Sequence, residues 1–393
     1  MTAEPDPDYI LTAAAVRERC SLVFAAAERD ETPHYRLRLD YLDDVARLVA
    51  DVTRQRYPDL RVPFHSRWRH FTAGGVDRAQ LVAPGADRAE AARARIDLAI
   101  VSVLLDAGAG PEWRYREAET GQVFARSEGL GVASFRAVQA GLFSADPAQP
   151  WRVDASALAA LSPEALAQAM QHRDDNALAG FAGRVALLRR LGEVARDNST
   201  VFGRSARLGN LYDHWRKEGA TIAAAEILRT LLIALGPIWP GRPLGDCGRH
   251  RGVPGDGLVP FHKLSQWLAY SLIEPLQDAG IAVTKIDALT GLAEYRNGGL
   301  FLDLGVVEPR DPSLVSRTLD PQEEAVVEWR ALTVTLLDRL AARVRALLGK
   351  NPAEFPLVCV LEGGSWEAGR QLAFSRRPGG SPPLAIASDG TLF

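Results

Sequence analysis

Four residues in the segment 259–270 have the types and the spacing to line a binding site for a polar molecule. Lys263, Gln266, Trp267 and Tyr270 are spaced i, i+3, i+4 and i+7, so in a helix they share one face. That face carries a cation, an amide and two aromatic rings but no aliphatic side chain. A solvated helix rarely exposes two aromatic residues, and a core face rarely contains lysine and glutamine. The spacing therefore predicts one wall of a pocket, with His262 directly before it.

The segment 287–303 combines ionisable side chains with glycines. Glu294, Tyr295 and Arg296 directly precede an Asn-Gly-Gly triplet at 297–299. Such a triplet can adopt positive φ and turn tightly around a ligand or a phosphate. The alternative is an αL helix cap followed by a short strand, with Glu294 and Arg296 as an exposed ion pair. The residue types alone are compatible with both.

A third segment, 63–71, interleaves basic and aromatic side chains: His65, Arg67, Trp68, Arg69 and His70 lie between Phe64 and Phe71. Aromatic rings can stack on a planar ligand while guanidinium groups bind a phosphate. The alternative is a passage from helix to loop, with the aromatic rings in the core and the arginines in water.

Known metal and cofactor fingerprints are missing from the sequence. Cys247 and His250 carry ligand atoms, but no second pair follows at a spacing typical of structural zinc. No glycine-rich loop matches a Walker or dinucleotide fingerprint, and no serine lies in a Gly-x-Ser-x-Gly elbow. We therefore expect neither a metal ion nor a cofactor.

The composition is that of a globular protein that binds small molecules. The chain has 393 residues, a net charge of −3, 47% hydrophobic residues and 24% charged residues. A net charge near zero argues against a protein that grips long nucleic acid. There is no uncharged apolar run of membrane-spanning length, and the acidic N-terminus differs from a signal peptide. Three widely separated cysteines fit a reducing compartment. We expect a cytoplasmic protein with a small-molecule partner and no membrane partner.

Helical periodicity dominates the elements that must position these residues. Three short strands are predicted at 123–125, 357–361 and 384–387, and eight helices at 9–28, 37–56, 89–107, 165–172, 177–195, 220–235, 261–277 and 321–348. The pattern predicts a mainly α fold with a few short strands. We expect one large helical domain over residues 1–393. A break at 143–150 offers a division into lobes 1–145 and 150–393, the second carrying the site motifs. The irregular connection 236–260 is long enough to be functional.

Nearly the whole chain resembles the uracil catabolism protein four family, which is associated with the ring-opening route of uracil breakdown. The phrases that carry the resemblance are His65-Ser-Arg-Trp-Arg-His70-Phe, Ser102-Val-Leu-Leu-Asp106-Ala-Gly-Ala-Gly, Arg126-Ser-Glu128-Gly-Leu, Pro260-Phe-His-Lys263-Leu-Ser-Gln266-Trp, Leu289-Thr-Gly-Leu-Ala-Glu294-Tyr-Arg296-Asn-Gly-Gly and Ser388-Asp-Gly-Thr391-Leu-Phe.

A more distant resemblance, to the queuosine salvage glycosidases, implies a chemistry. Its motifs, in order, are Lys263 with Gln266, Asp287 with Thr290, Glu294-Tyr295-Arg296, and Glu328-Trp329-Arg330. This resemblance implies a helical, DNA-glycosylase-like fold and cleavage of a base from a ribonucleotide. In that family an aspartate taken as catalytic stands where this chain has Glu294, which is one methylene longer. The family's lysine, matched by Lys263, lies in the same pocket.

Together the resemblances imply hydrolysis of the N-glycosidic bond of a ribosylurea or its 5′-phosphate, with release of urea and ribose or ribose 5-phosphate. The catalytic residues would be Glu294 and Lys263. Substrate-binding residues would be His65, Arg67, Trp68, Arg69, His70, His262, Gln266, Trp267, Tyr270, Asp287, Tyr295, Arg296, Asn297, Glu328 and Arg330. One alternative is a non-catalytic protein that binds or senses a pyrimidine derivative. Another is a DNA glycosylase, which the net charge and the lack of a clear helix-hairpin-helix disfavour.

Overall fold

A computed structural model describes residues 6–387 of the chain. The terminal phrase Ser388 to Phe393 lies outside the described residues. The α-helices are α1 Pro7–Ile10, α2 Ala13–Glu28, α3 Leu42–Arg56, α4 Arg88–Leu104, α5 Arg126–Gln139, α6 Ala155–Ala159, α7 Pro163–Ala169, α8 Phe181–Asp197, α9 Ser199–Phe202, α10 Leu211–Glu218, α11 Ala224–Leu235, α12 Lys263–Asp278, α13 Tyr295–Asp303, α14 Glu324–Leu348, α15 Leu357–Val360 and α16 Trp366–Arg376.

The strands are short and form two-stranded sheets. They are β1 Tyr35–Leu37, β2 Arg114–Arg116, β3 Val123–Ala125, β4 Thr221–Ala223, β5 Cys247–Arg249, β6 Leu258–Pro260, β7 Ala282–Thr284, β8 Val307–Pro309, β9 Thr318–Leu319 and β10 Ala385–Ile386. Antiparallel pairs join β1 with β8, β2 with β3 and β5 with β6. Parallel pairs join β4 with β7 and β9 with β10. The prediction of a mainly α fold is confirmed.

The chain divides into two compact units, each built from separate segments. Unit 1 contains the described residues up to His65 together with Leu244–Gln266 and Lys285–Ala387. In this unit α14 packs against α2 and α3, and α13 packs against α16. Unit 2 contains Ser66–Pro243 and Trp267–Thr284. Here α6 packs on α8, and α5 packs on the 3-10 segment Arg67–Gly75.

Helix boundaries follow the local chemistry of the sequence. Thr12 and Asp87 cap α2 and α4 with side-chain oxygens, and an αL glycine, Gly349, ends α14. The stripe that includes Trp329, Leu332 and Leu336 is buried along α14, as the periodicity predicts. The helix begins at Glu324, three residues after the predicted start, because Pro321–Gln322 form a turn.

The predicted strands have different outcomes. Strands 123–125 and 384–387 are confirmed, the second as the two-residue β10. The prediction of a strand at 357–361 is wrong. That segment forms α15 and runs into a π-helical turn, Leu361–Ser365, hereafter the π-turn. Its uninterrupted apolar run is compatible with a buried strand or a buried helix, and here it packs against α14 as a helix. Among the described helices, none is long and apolar enough to cross a membrane.

Candidate active site

Glu294 is a buried carboxylate at the start of α13. Its two oxygens accept the backbone N–H groups of Arg296 and Asn297, at 2.7 and 2.6 Å. The side chain therefore caps the helix, and the helix dipole favours its negative charge. Only 7% of the residue is exposed. Burial raises the pKa of Glu294, although the two backbone hydrogen bonds and the charges of Lys263 and Arg296 act in the opposite direction.

Lys263 brings its ammonium group into the electrostatic field of Glu294. The ammonium acts to lower the pKa of Glu294, so the two charges interact despite a separation of 31 positions along the chain. Lys263 is the first residue of α12 and is half-buried. Its backbone N–H donates to Oδ2 of Asp246 at 3.1 Å. Lys263 and Glu294 both belong to unit 1, and their shared role in a catalytic site stays a prediction.

Asp246 anchors the start of α12. It forms a two-pronged ion pair with Arg330, at 2.9 and 2.7 Å, and both side chains are buried. Burial acts to raise the pKa of Asp246, but the charge and hydrogen bonds of Arg330 outweigh it and lower the pKa. The guanidinium carbon of Arg330 also lies 3.9 Å from the centroid of the Phe261 ring. Arg330 therefore positions the loop that leads into α12 and Lys263.

His262 adds a second constraint directly before Lys263. Its φ is +47°, a left-handed value that costs energy for a residue other than glycine. The ring is buried, and Nε2 donates to the carbonyl oxygen of Ile10 at 2.9 Å. Burial lowers the pKa of His262, so the neutral ring is favoured. This residue holds the backbone at the start of α12.

Gln266 and Thr290 connect the lysine helix with the segment before Glu294. The backbone N–H of Thr290 donates to Gln266 Oε1 at 2.8 Å, and Gln266 Nε2 donates to Thr290 Oγ1 at 2.6 Å. Gln266 Nε2 also donates to the Phe261 carbonyl at 3.0 Å. The two predicted motifs are thus joined by reciprocal hydrogen bonds within unit 1.

The Asn-Gly-Gly triplet is helical, so the predicted turn around a ligand is wrong, as is the alternative of a short strand. Residues 297–299 lie inside α13, and none has positive φ. A Cβ atom at Gly298 would come within 2.3 Å of the Trp329 ring. Glycine is needed there because α13 approaches α14 closely, not because the chain turns. Arg296 is buried and donates through Nη1 to the Gly380 carbonyl at 3.0 Å, with its guanidinium over the Tyr295 ring.

Two other predicted binding residues have structural partners. Glu328 is fully buried and accepts the backbone N–H groups of His34 and Tyr35 and the Nε2–H of His250. Asp287 pairs with Arg345 at 2.7 Å and accepts the Leu357 N–H at 2.6 Å, at the start of α15. These contacts tie strands and helices of unit 1 together. A role of either carboxylate in substrate binding stays a prediction.

His65 belongs to a separate cluster in unit 1. Its Nδ1 donates to Glu362 Oε2 at 2.9 Å, and both side chains are buried. The other oxygen of Glu362 accepts hydrogen bonds from Arg56 and Tyr57, each at 3.0 Å. Glu362 was not among the predicted site residues; it directly follows the segment predicted as a strand and lies in the π-turn.

Unit 2 brings the segment 67–70 onto the part of α12 that follows residue 266. Trp68 Nε1 donates to the Ser271 carbonyl at 2.7 Å, and Arg69 pairs with Glu274 at 2.6 Å. The Arg67 guanidinium lies 5.5 Å from the centroid of the Trp267 ring, and the His70 ring meets that ring edge-on at 5.6 Å. Tyr270 is completely buried in the same helix.

Arg67 has a buried counter-charge that the sequence analysis did not identify. Its side chain is completely buried and forms an ion pair with Asp106 at 3.0 Å. It also donates to Ser102 Oγ at 2.6 Å and to the Ser127 carbonyl at 3.1 Å. Asp106 and Ser102 occur in one of the phrases that carry the family resemblance. A substrate phosphate at Arg67 would compete with Asp106, and this role of Arg67 stays a prediction.

The arrangement in unit 1 is suited to stabilising positive charge on a bound molecule. It offers a carboxylate that two backbone N–H groups hold in place within a rigid hydrogen-bonded frame. Within residues 6–387, no group of three or more His, Cys, Asp or Glu side chains is placed to hold a metal ion.

Comparison with known proteins gives matches along the whole chain. A family model with the description "Protein of unknown function (DUF1688)" matches residues 9–393. Protein urg3 of Schizosaccharomyces pombe is 38% identical, over 98% of this chain and 98% of that protein. Uracil catabolism protein 4 of Lachancea kluyveri is 34% identical, over 100% of both chains.

Proposed function

The chain belongs to the DUF1688 family, and we propose that it acts in uracil catabolism as an N-glycosidase. Its substrate would be a ribosylurea or the corresponding 5′-phosphate, and its products urea and ribose or ribose 5-phosphate. The observation that carries the proposal is the buried carboxylate of Glu294, fixed by two backbone N–H groups and influenced by Lys263. The two relatives confirm the resemblance to the uracil catabolism protein four family; the resemblance to the queuosine salvage glycosidases stays a prediction.

The name of one relative supports the pathway. Uracil catabolism protein 4 is the name of the Lachancea kluyveri protein, which aligns with the whole of this chain. Opening of the ring of a uracil nucleotide would leave a urea nitrogen attached to ribose C1′. This bond must still be broken, and its hydrolysis is the reaction that we assign to the chain.

The chemistry of this bond explains why a fixed carboxylate is useful. As the bond from C1′ to nitrogen breaks, both electrons leave with the nitrogen and positive charge develops on C1′ and the ring oxygen. A preorganised carboxylate stabilises this charge without having to reorient. Water then supplies the oxygen that bonds to C1′, and the departing nitrogen takes up a proton. Glu294 would supply the electrostatic stabilisation.

Lys263 has three roles consistent with its position. It can keep Glu294 ionised, bind a ribose phosphate, or protonate the leaving nitrogen. The first role follows from its effect on the pKa of Glu294. The other two require contact with the substrate.

A second candidate function is supported by the capping role of Glu294. Both of its oxygens already accept backbone N–H groups, as in a helix cap with a purely structural task. A protein that binds a pyrimidine derivative without converting it could use the same neighbourhood. In such a protein the negative charge of Glu294 would not be needed for chemistry.

The test is incubation of the purified chain with synthetic ribosylurea and, separately, with its 5′-phosphate, followed by an assay for free urea. We expect urea from one of the two compounds and much less from the Glu294→Gln variant. Isothermal titration of the same compounds is the parallel measurement. Binding by the wild type without urea release would refute the glycosidase and favour the binding protein.

A further inference from the structure

The carboxylate of Glu362 accepts hydrogen bonds from three side chains of unit 1. His65 Nδ1 donates to Oε2 at 2.9 Å, while Arg56 Nη2 and Tyr57 Oη donate to Oε1 at 3.0 Å. Arg56 also donates to the backbone carbonyl of Glu362. These hydrogen bonds fix the position of the carboxylate, and the bond to His65 holds the imidazole ring in one orientation.

The backbone around this cluster is equally constrained. The N–H of His65 donates to the Val358 carbonyl at 3.2 Å, one helical turn before Glu362. Glu362 itself lies in the π-turn, a conformation that is rare and frequent at functional sites. A Cβ atom at Gly364 would come within 2.3 Å of the Val49 carbonyl oxygen. The two glycines of the π-turn therefore let it press against α3.

The bond between His65 and Glu362 determines which ring nitrogen carries the proton. A carboxylate only accepts hydrogen bonds, so the proton of the neutral ring is on Nδ1. The lone pair is then on Nε2. Burial acts to raise the pKa of Glu362, but the hydrogen bond from His65 and the charge and hydrogen bond of Arg56 act to lower it, and the pKa lies below its ordinary value. An ionised Glu362 stabilises the imidazolium that forms when Nε2 takes up a proton.

The same π-turn is connected to Glu294 by a chain of hydrogen bonds. Ser365 Oγ donates to Asn297 Oδ1 at 2.8 Å. The N–H of Asn297 in turn donates to Glu294 Oε1 at 2.6 Å. One rigid frame in unit 1 thus holds both the carboxylate of Glu294 and the pair formed by His65 and Glu362.

We propose, building on the glycosidase function above, that His65 is the base that takes a proton from the attacking water, and that Glu362 is its positioning residue. In this step a water O–H bond breaks and its proton moves to His65 Nε2, while the water oxygen bonds to C1′. The bond from C1′ to nitrogen breaks with its electron pair, and the departing urea takes up a proton from solvent. The imidazolium then returns its proton to solvent, so water is the only co-reactant.

Activity measurements test the base. In His65→Ala, kcat for urea release is expected to fall by about 10²–10⁴-fold, the usual contribution of a general base. Added imidazole should restore part of the turnover, which it could not do for a merely structural histidine. The matched control is His250→Ala, which removes a buried histidine that also pairs with a glutamate. Imidazole is expected to leave the turnover of this control unchanged.

Nuclear magnetic resonance of the full chain with ¹⁵N-labelled histidine tests the positioning residue without relying on activity. In the wild type we expect the neutral His65 ring to carry its proton on Nδ1. In Glu362→Leu the proton should move toward Nε2. In the volume-matched Glu362→Gln, kcat should fall by at least about 10-fold because the imidazolium loses the negative charge that stabilises it. Thermal melts establish that each variant is folded.

Three results would overturn the proposal: a wild-type proton on Nε2, full turnover in His65→Ala, or a loss in this variant that imidazole does not reverse. Absence of urea release from the wild type would instead refute the glycosidase function. In that case the position of the wild-type proton would still decide whether Glu362 orients His65.

Discussion

Replacement of Glu294 by glutamine removes its negative charge and almost none of its volume. The structure adds a second effect, because both oxygens of the carboxylate accept backbone N–H groups. Glutamine keeps one acceptor oxygen and places an NH₂ group against the other N–H. The variant therefore loses electrostatic stabilisation of the substrate and also one hydrogen bond of the helix cap.

The two effects differ in size and can be separated. Loss of a preorganised carboxylate is expected to lower kcat by at least about 100-fold, or about 2.7 kcal/mol of transition-state stabilisation. Loss of one capping hydrogen bond costs about 1–2 kcal/mol of folding free energy. Part of that cost is recovered, because a neutral side chain is easier to bury than a carboxylate. The variant should thus stay folded while its turnover collapses.

The assay combines kcat for urea release with unfolding in urea monitored by circular dichroism. Glu294→Asp keeps the charge and is a good helix cap, so we expect it to be stable and more active than Glu294→Gln. Asp87→Asn changes an exposed cap of α4 and serves as the matched control, with wild-type turnover. Near-normal kcat in Glu294→Gln would refute the assignment of this carboxylate.

Three further predictions concern the surroundings of Glu294. The pKa of Glu294 lies above its ordinary value of 4.5, so kcat/KM should fall on acidification through the pKa of Glu294. In Lys263→Met, kcat/KM should fall at higher pH, because the ammonium that acts to lower the pKa of Glu294 is gone. An identical pH profile in the variant would contradict the interaction. In the folded chain the pKa of His262 lies below its ordinary value of 6.5. The wild type should therefore lose free energy of unfolding as pH falls from 6.5 toward that lower pKa. Unfolding in urea should show a smaller loss in His262→Asn, a substitution that tolerates positive φ. Asp246→Asn should lower the free energy of unfolding by about 3–5 kcal/mol, because a buried guanidinium loses its counter-charge. Asp338→Asn, in a part-exposed ion pair, should lower it by at most about 1 kcal/mol. Equal losses would show that burial does not govern the strength of the ion pair.

Periodicity predicts eight helices, and each overlaps a helix of the structure, whereas α5 and α16 were not predicted. The stripe of α14 and the Asp87 cap of α4 are local signals, and local signals remain visible in the sequence. The segment 357–361 was assigned wrongly because a short apolar run has no period that separates strand from helix. The glycines of α13 were assigned to a turn because their actual reason, contact with Trp329, lies 31 positions away.

The site motifs were visible in the sequence, but the groups that hold them were not. Lys263 acts to lower the pKa of Glu294, so the two motifs are electrostatically linked in unit 1. Asp246 and Glu362, which orient α12 and His65, have partners 84 and 297 positions away. No spacing rule connects residues so far apart, so such pairings appear only once the chain has folded.

The order in which the segments of unit 1 occur along the chain has a consequence for biosynthesis. This unit needs residues from near the N-terminus, from 244–266 and from 285–387. Helices α2 and α3 are synthesised early and pack against α14, which follows nearly 270 residues after α3. Until the ribosome has synthesised α14, the apolar faces of α2 and α3 lack this partner. Native contacts between such distant segments make folding slow. Chaperone dependence during translation, and low yield of chains cut before α14, are therefore the expected behaviour of this protein.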